Sequence, residues 1–142
     1  MNDTTHRIHL DPDALAAAVT ATGGTGPLGE ALAARHLVRD DGLSILARNW
    51  RLTAGELRGE LDVVALDEGA GRVVVCEVKT RRDAQRFGGA VAAVGPRKRG
   101  KVRALTGAFL REAALPFHRV RLDVVAIDLG RVPTLTHVED AL

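Results

Sequence analysis

The sequence has no tyrosine, one tryptophan, three phenylalanines and a single cysteine. With aromatics at 3%, a base-stacking platform of the kind that RNA-recognition and OB folds use is poorly supported. One cysteine excludes an internal disulfide framework and fits a reducing, cytoplasmic setting. Cys76 lies inside an apolar run and is expected to be packed core. No apolar stretch approaches the roughly 18–20 residues of a membrane span, and the N-terminal MNDTTHRIHLDPD lacks a signal-peptide core, so no membrane partner is expected. The five histidines, at positions 6, 9, 36, 118 and 137, show neither HExxH nor paired Cys/His spacing, and no zinc site is predicted. A large excess of one charge is also missing. The net charge is +2 with a pI near 9.2, so a localised basic patch matters more than the total.

What is present is an ordinary globular composition, 46% hydrophobic and 27% charged over 142 residues, enough for one domain with a real core. The chain is organised around GELDVVALDEGAGRVVVCEVKTRR (59–82). Two valine-rich runs flank a polar connector with glycines, which reads as a β-hairpin. A loop at 68–71 pairs Asp67 with Arg72. Counting back puts Val64 opposite Val75, Asp62 opposite Glu77 and Glu60 opposite Lys79. Period-two alternation then places Glu60, Asp62, Glu77 and Lys79 on one face. Carboxylates at the ends of apolar strands repel each other and call for something cationic between them. For Lys79 an ordinary ion pair with Glu60 is the plainer alternative.

Elsewhere the pattern is less dense. Residues 1–23 read as an N-terminal extension with mobile character, carrying a short helix capped by Asp11 with Pro12 at its first position. Residues 24–142 then form a single domain. Gly24-Thr25-Gly26-Pro27-Leu28-Gly29 matches GxGxxG formally. No strand leads into it and no acidic residue follows about 20 residues on, so a helix entry is the better reading. A helix is predicted over Leu28–Arg39, with Glu30 near its start, where a carboxylate can simply favour the dipole. LSILARNW (43–50) reads as a strand. Pro96 opens a helix over about 96–114 whose apolar stripe is Val102, Leu105, Phe109 and Leu110. RVRLDVVAIDL (119–129) reads as an internal strand, with a structural role for Asp123. The tail from Gly130 reads as an edge strand or a loose terminus.

Positive charge gathers at Arg81, Arg82 and Arg86, then at Arg97, Lys98, Arg99, Lys101 and Arg103. Cations at the start of a helix oppose its dipole. Their placement there suggests that phosphates offset them, and these eight residues are the candidate nucleic-acid contacts.

An Asp on one strand followed by Glu-x-Lys on the next resembles the core of the restriction-endonuclease-like PD-(D/E)XK nuclease superfamily. The blocks GPLGEALAARHL, ILARNWR, GELDVVALD, VVVCEVKTR and RLDVVAI are similar, in order, to those of the YraN-like family of bacterial proteins within it. The resemblance covers roughly residues 24–128. It implies an α/β fold with a restriction-endonuclease-like core, a central mixed sheet flanked by helices. It also implies a metal-dependent nuclease or DNA-processing protein acting on branched or structured DNA, with a weakly active or inactive binding module as the alternative. Asp62, Glu77, Lys79 and Glu30 are then the catalytic candidates. Asp62, Glu77 and the Val78 carbonyl become candidate ligands for Mg²⁺ or Mn²⁺, which need few protein oxygens. The partner implied is nucleic acid, DNA first, and a homodimer is expected by analogy.

Overall fold

The computed structural model describes residues 5–13, 15–16, 24–53, 55–82, 96–115 and 119–142. The elements run β1 (Thr5–His9), α1 (Thr25–Arg39), β2 (Ser44–Leu52), β3 (Gly59–Asp67), β4 (Arg72–Arg81), α2 (Pro96–Glu112), β5 (Arg119–Asp128) and β6 (Thr134–Val138). The six strands form one mixed sheet in the order β1-β6-β5-β4-β3-β2. Only β4 and β5 are parallel; the other neighbours are antiparallel.

The hairpin forms as its sequence dictates. Val64 pairs with Val75 and Asp67 with Arg72. Gly71 takes the left-handed conformation that the turn requires, with φ 61°. The Asp67 carboxylate accepts from the Ala70 amide at 3.2 Å and from the Arg72 guanidinium at 3.3 Å, which fixes both strand ends. Since β4 and β5 are parallel, their connection must cross over, and strands covered on both faces are apolar throughout. VVVC meets that demand, and LDVV departs from it only at the buried Asp123.

The two helices cover opposite faces. Leu28, Leu32, Ala33 and Leu37 of α1 pack on Val63, Ala65, Val74, Cys76, Val125 and Ile127. Val102, Leu105 and Phe109 of α2 pack on Leu61, Val64, Val73, Val75, Leu122 and Val124. Cys76 is fully buried, as expected of core. Helix α1 lies very close to the sheet because Gly29 has no side chain. A Cβ there would stand 1.8 Å from Thr80 Oγ1.

Several expectations are corrected. Residues 5–9, assigned to a separate extension, pair with β6 as the outermost strand, from Thr5 against Val138 to His9 against Thr134. Ile8, Leu10 and Leu15 pack against the core. The predicted Asp11 cap is present, its carboxylate accepting from the Asp13 amide at 3.0 Å. The tail is neither edge nor loose, since β6 sits between β1 and β5. Helix α1 begins at Thr25 and not at Leu28, so Gly24 stands at its N-cap and the rest of the glycine string lies inside its first turns. Among the described residues no helix is long and apolar enough to cross a membrane.

Candidate functional site

The site lies where the hairpin comes apart. The β3–β4 ladder runs from Asp67–Arg72 only to Val63–Cys76. The next pairs in the count, Asp62–Glu77 and Glu60–Lys79, do not form. Leu61 and Val63, two residues apart on β3, bury in clusters on opposite sides of the sheet. Alternation is therefore interrupted at Asp62, and the expected single face of four charged residues is not what forms. The cause is visible on the neighbouring strand. Asn49, between the pairs Arg48–Val63 and Trp50–Leu61, has φ 53°, a left-handed residue that bends β2 locally.

The parting strands expose the backbone of β4, and the Asp62 carboxylate accepts from the freed Val78 amide at 2.8 Å. Glu77 points to the α2 side and is only 5% exposed. Its Oε1 receives Lys98 Nζ at 2.9 Å and Lys79 Nζ at 3.5 Å. Lys79 is thus joined to Glu77, while Glu60 pairs instead with Arg51 at 2.8 Å. From the α1 side comes Glu30. Oxygens of Glu30, Glu60 and Asp62 lie within 4.8 Å of one another. Because α1 starts at Thr25, no acidic residue occupies its first turn, which removes the dipole as Glu30's reason to be there.

The electrostatics follow. Burial, then the Glu77 charge, push the Asp62 carboxyl up to about 7; Glu30 and Glu60 add to this, and the Val78 amide opposes it. The Lys98 ammonium is held above its usual range, chiefly by its hydrogen bond to Glu77. A pocket so rich in anionic oxygen either takes up a proton or holds a cation. Hard oxygen donors suit Mg²⁺ or Mn²⁺, so the residues fit such an ion. Among the described residues the carboxylates that gather within 4.8 Å are Glu30, Glu60 and Asp62, whereas the set expected from the sequence is Asp62, Glu77 and the Val78 carbonyl. Asp62 is common to both.

The basic residues divide. Arg97, Arg99, Lys101 and Arg103 are exposed on α2, and Arg103 donates to the Leu142 carbonyl at 3.0 Å. The Lys101 stem packs against Gly59, where a Cβ would lie 2.8 Å from Lys101 Cε. This sets the basic turns of α2 beside the start of β3 and the fork. Arg81 donates to the Thr80 carbonyl at 3.1 Å, Arg82 is exposed, and Arg86 lies outside the described residues. Lys98, its side chain 42% exposed, is paired with Glu77. The sequence carried one faint signal of this, a lysine in a helix turn without an acidic residue.

Residues 29–127 match the uncharacterised protein family UPF0102. The chain belongs to that family. A UPF0102 protein of Mycolicibacterium gilvum is 48% identical over 118 residues, covering 82% of this chain and 91% of the relative. UPF0102 proteins of Mycobacterium avium and Mycobacterium tuberculosis are each 41% identical, covering 80% of this chain and 86% and 88% of their own lengths. The UPF0102 match takes in Glu30, Glu60, Asp62, Glu77, Lys79 and Lys98, every side chain gathered at the fork. It leaves out β1 and β6.

Proposed function

We propose that this chain is a metal-dependent nuclease of the restriction-endonuclease-like PD-(D/E)XK class that hydrolyses phosphodiester bonds in DNA, with branched or structured DNA as its substrate class. The observation that supports this reading best is the convergence of Asp62, Glu77, Lys79 and Glu30 on one fork, from both strands of the hairpin and from α1. Asp62, with Glu30 and Glu60 or with Glu77 and the Val78 carbonyl, would hold Mg²⁺ or Mn²⁺, which when bound supplies Lewis-acid activation of water and of the phosphoryl oxygen. Lys79, anchored on Glu77, aims an ammonium at the phosphate that enters the fork and offsets its charge. The exposed cations of α2 grip the backbone on either side of that point, so docking and chemistry rest on different side chains.

A second reading, a binding module without turnover, has one observation in its favour. Lys98 Nζ at 2.9 Å already serves Glu77 as a counter-ion. The two readings separate in one experiment. The purified full chain is presented with duplex, single-stranded, flap and four-way-junction DNA in Mg²⁺, Mn²⁺ or EDTA. Cleavage that needs metal and disappears in Glu77→Ala, with DNA affinity in EDTA unchanged, is the nuclease result. Binding without cleavage on every substrate, matched by Glu77→Ala throughout, leaves the binding module.

A further inference from the structure

We infer that His36, Asp41 and His137 form a second, separate metal site, for a divalent ion of the zinc class, where the end of α1 meets β6. The sequence gives no hint of it, because the two histidines are 101 residues apart. The fold closes that distance. His36 Nε2 and His137 Nδ1 face each other at 3.0 Å. Asp41 Oδ2 stands 3.3 Å from the His137 nitrogen and 3.8 Å from that of His36. Ligands about 2.0–2.1 Å from a tetrahedral zinc ion lie about 3.3 Å apart, so these three separations bracket the required value.

The surrounding hydrogen bonds fix which nitrogens are bare. His36 Nδ1 is 2.7 Å from Asp40 Oδ2, and His137 Nε2 is 2.7 Å from Asp123 Oδ2. A carboxylate only accepts, so those two nitrogens carry the protons. The lone pairs of His36 Nε2, His137 Nδ1 and Asp41 Oδ2 are then turned on one another with nothing to donate between them. Charge points the same way. Asp40, Asp41 and Asp123 surround the pair; among the guanidiniums near it, Arg121 is shared between Asp123 and Glu139, and Arg35 and Arg39 line the cleft outside His36. The cluster therefore holds a cation, either an extra proton shared by the rings or a metal. Two imidazoles, each backed by a carboxylate on its other nitrogen, form the outer arrangement that metal-binding histidines use.

Imidazole donors favour zinc-class ions over magnesium. Cys76 groups with Asp123 and His137 and not with His36 and Asp41, so it stands outside the three-ligand set. Three protein ligands would leave a fourth position open to water. The Asp41 side chain, 21% exposed, joins the three-ligand set to the surface.

The test titrates the chelator-treated full chain with Co²⁺ and reads its visible ligand-field bands. One equivalent should bind with tetrahedral-type intensity, and Zn²⁺, but not Mg²⁺, should displace it. Asp41→Asn, at a side chain 21% exposed, keeps the packing and should weaken binding at least tenfold; Asp40→Asn should weaken it about tenfold. Glu77→Gln should leave the titration unchanged. Zn²⁺ should also raise the melting temperature of the wild type and not that of Asp41→Asn. A wild type without the bands overturns the site and leaves the shared proton. Bands that survive Asp41→Asn, or that vanish in Glu77→Gln, overturn it as well, the second by assigning the ion to the fork.

Discussion

Asp62 and Asp123 are both withdrawn from water on neighbouring parts of one sheet, yet their carboxyls are driven in opposite directions. Asp62 is pushed up to about 7 by burial and by the carboxylates around it, with one backbone amide in its favour. Asp123 suffers burial too. Hydrogen bonds from His137, Arg121 and the Asp140 amide outweigh it and hold the carboxyl below its usual range. Arg121 grips it in a fork, Nε to Oδ1 and Nη2 to Oδ2, both at 2.9 Å. Burial alone thus says little about the state of an acid; the donors delivered to it decide. A closed network with every lone pair occupied belongs to the frame. An acid left with surplus negative neighbours belongs to a site.

The strongest way to break the comparison is to remove each acid in turn. Asp123→Ala strands Arg121 and His137 in the interior and should cost about 3–5 kcal/mol, read from urea unfolding. Asp62→Asn should cost little and, at pH 8, should stabilise. Equal losses would abolish the distinction.

Gly29→Ala should have the next largest effect. The added methyl collides with Thr80 and should destabilise by about 1–3 kcal/mol, the usual range for overpacking. The fork should suffer more than the fold, because Glu30 is the next residue and moves with α1. Cleavage lost far beyond what the drop in stability explains is the expected outcome; activity that merely tracks stability would detach Glu30 from the site.

A smaller effect should appear as a slope with pH. The folded Asp62 titrates near 7 and the unfolded one near 3.9. Between those values the native state binds more protons than the unfolded state, so this residue's contribution to stability falls as pH rises through the window and is flat above it. Asp62→Asn should flatten that part of the stability profile measured without divalent ions. Asp123 has the opposite sign. Its contribution is full above about 4 and is lost as pH falls through its lowered native value. An Asp62→Asn profile parallel to wild type from pH 4 to 7 would refute the assignment.

The slightest change should come from the exposed cations. If Arg97 and Lys101 each meet one phosphate, replacing both with Ala should reduce the log–log salt slope of duplex binding by about two. An unchanged slope would move the interface to Arg81 and Arg82.

The two acids also mark how far the sequence could be read. The hairpin register was legible from Asp67–Arg72 to Val64–Val75 because the valine runs and the turn glycine leave one arrangement that buries the strands. The count failed at Asp62. A ladder ends where the third dimension pulls strands apart, and period-two alternation carries no record of a left-handed Asn49 on the strand beside it. The basic stretch of α2 was legible as charge, but its sequence said little of the pairing of Lys98 with Glu77. Thr5–His9 looked like an appendage because five half-polar residues form a strand only when β6 is there to pair with. The histidine cluster was the least legible of all, since spacing rules detect ligands within one motif and this one is assembled from a helix and a distant strand.

The irregular course of β2 has a consequence beyond the fork. Nine residues long and, among the described residues, paired only with β3, it presents a row of backbone groups on which another strand could dock. Its register slips between Ile45 and Ala47, Asn49 turns the backbone left-handed, and Arg48 and Arg51 are exposed along it. A foreign strand that docked there could keep neither hydrogen-bond step nor charge balance for more than a few residues. The distortion that opens the hairpin for Asp62 also stops the sheet from growing, and so protects the chain against edge-to-edge aggregation.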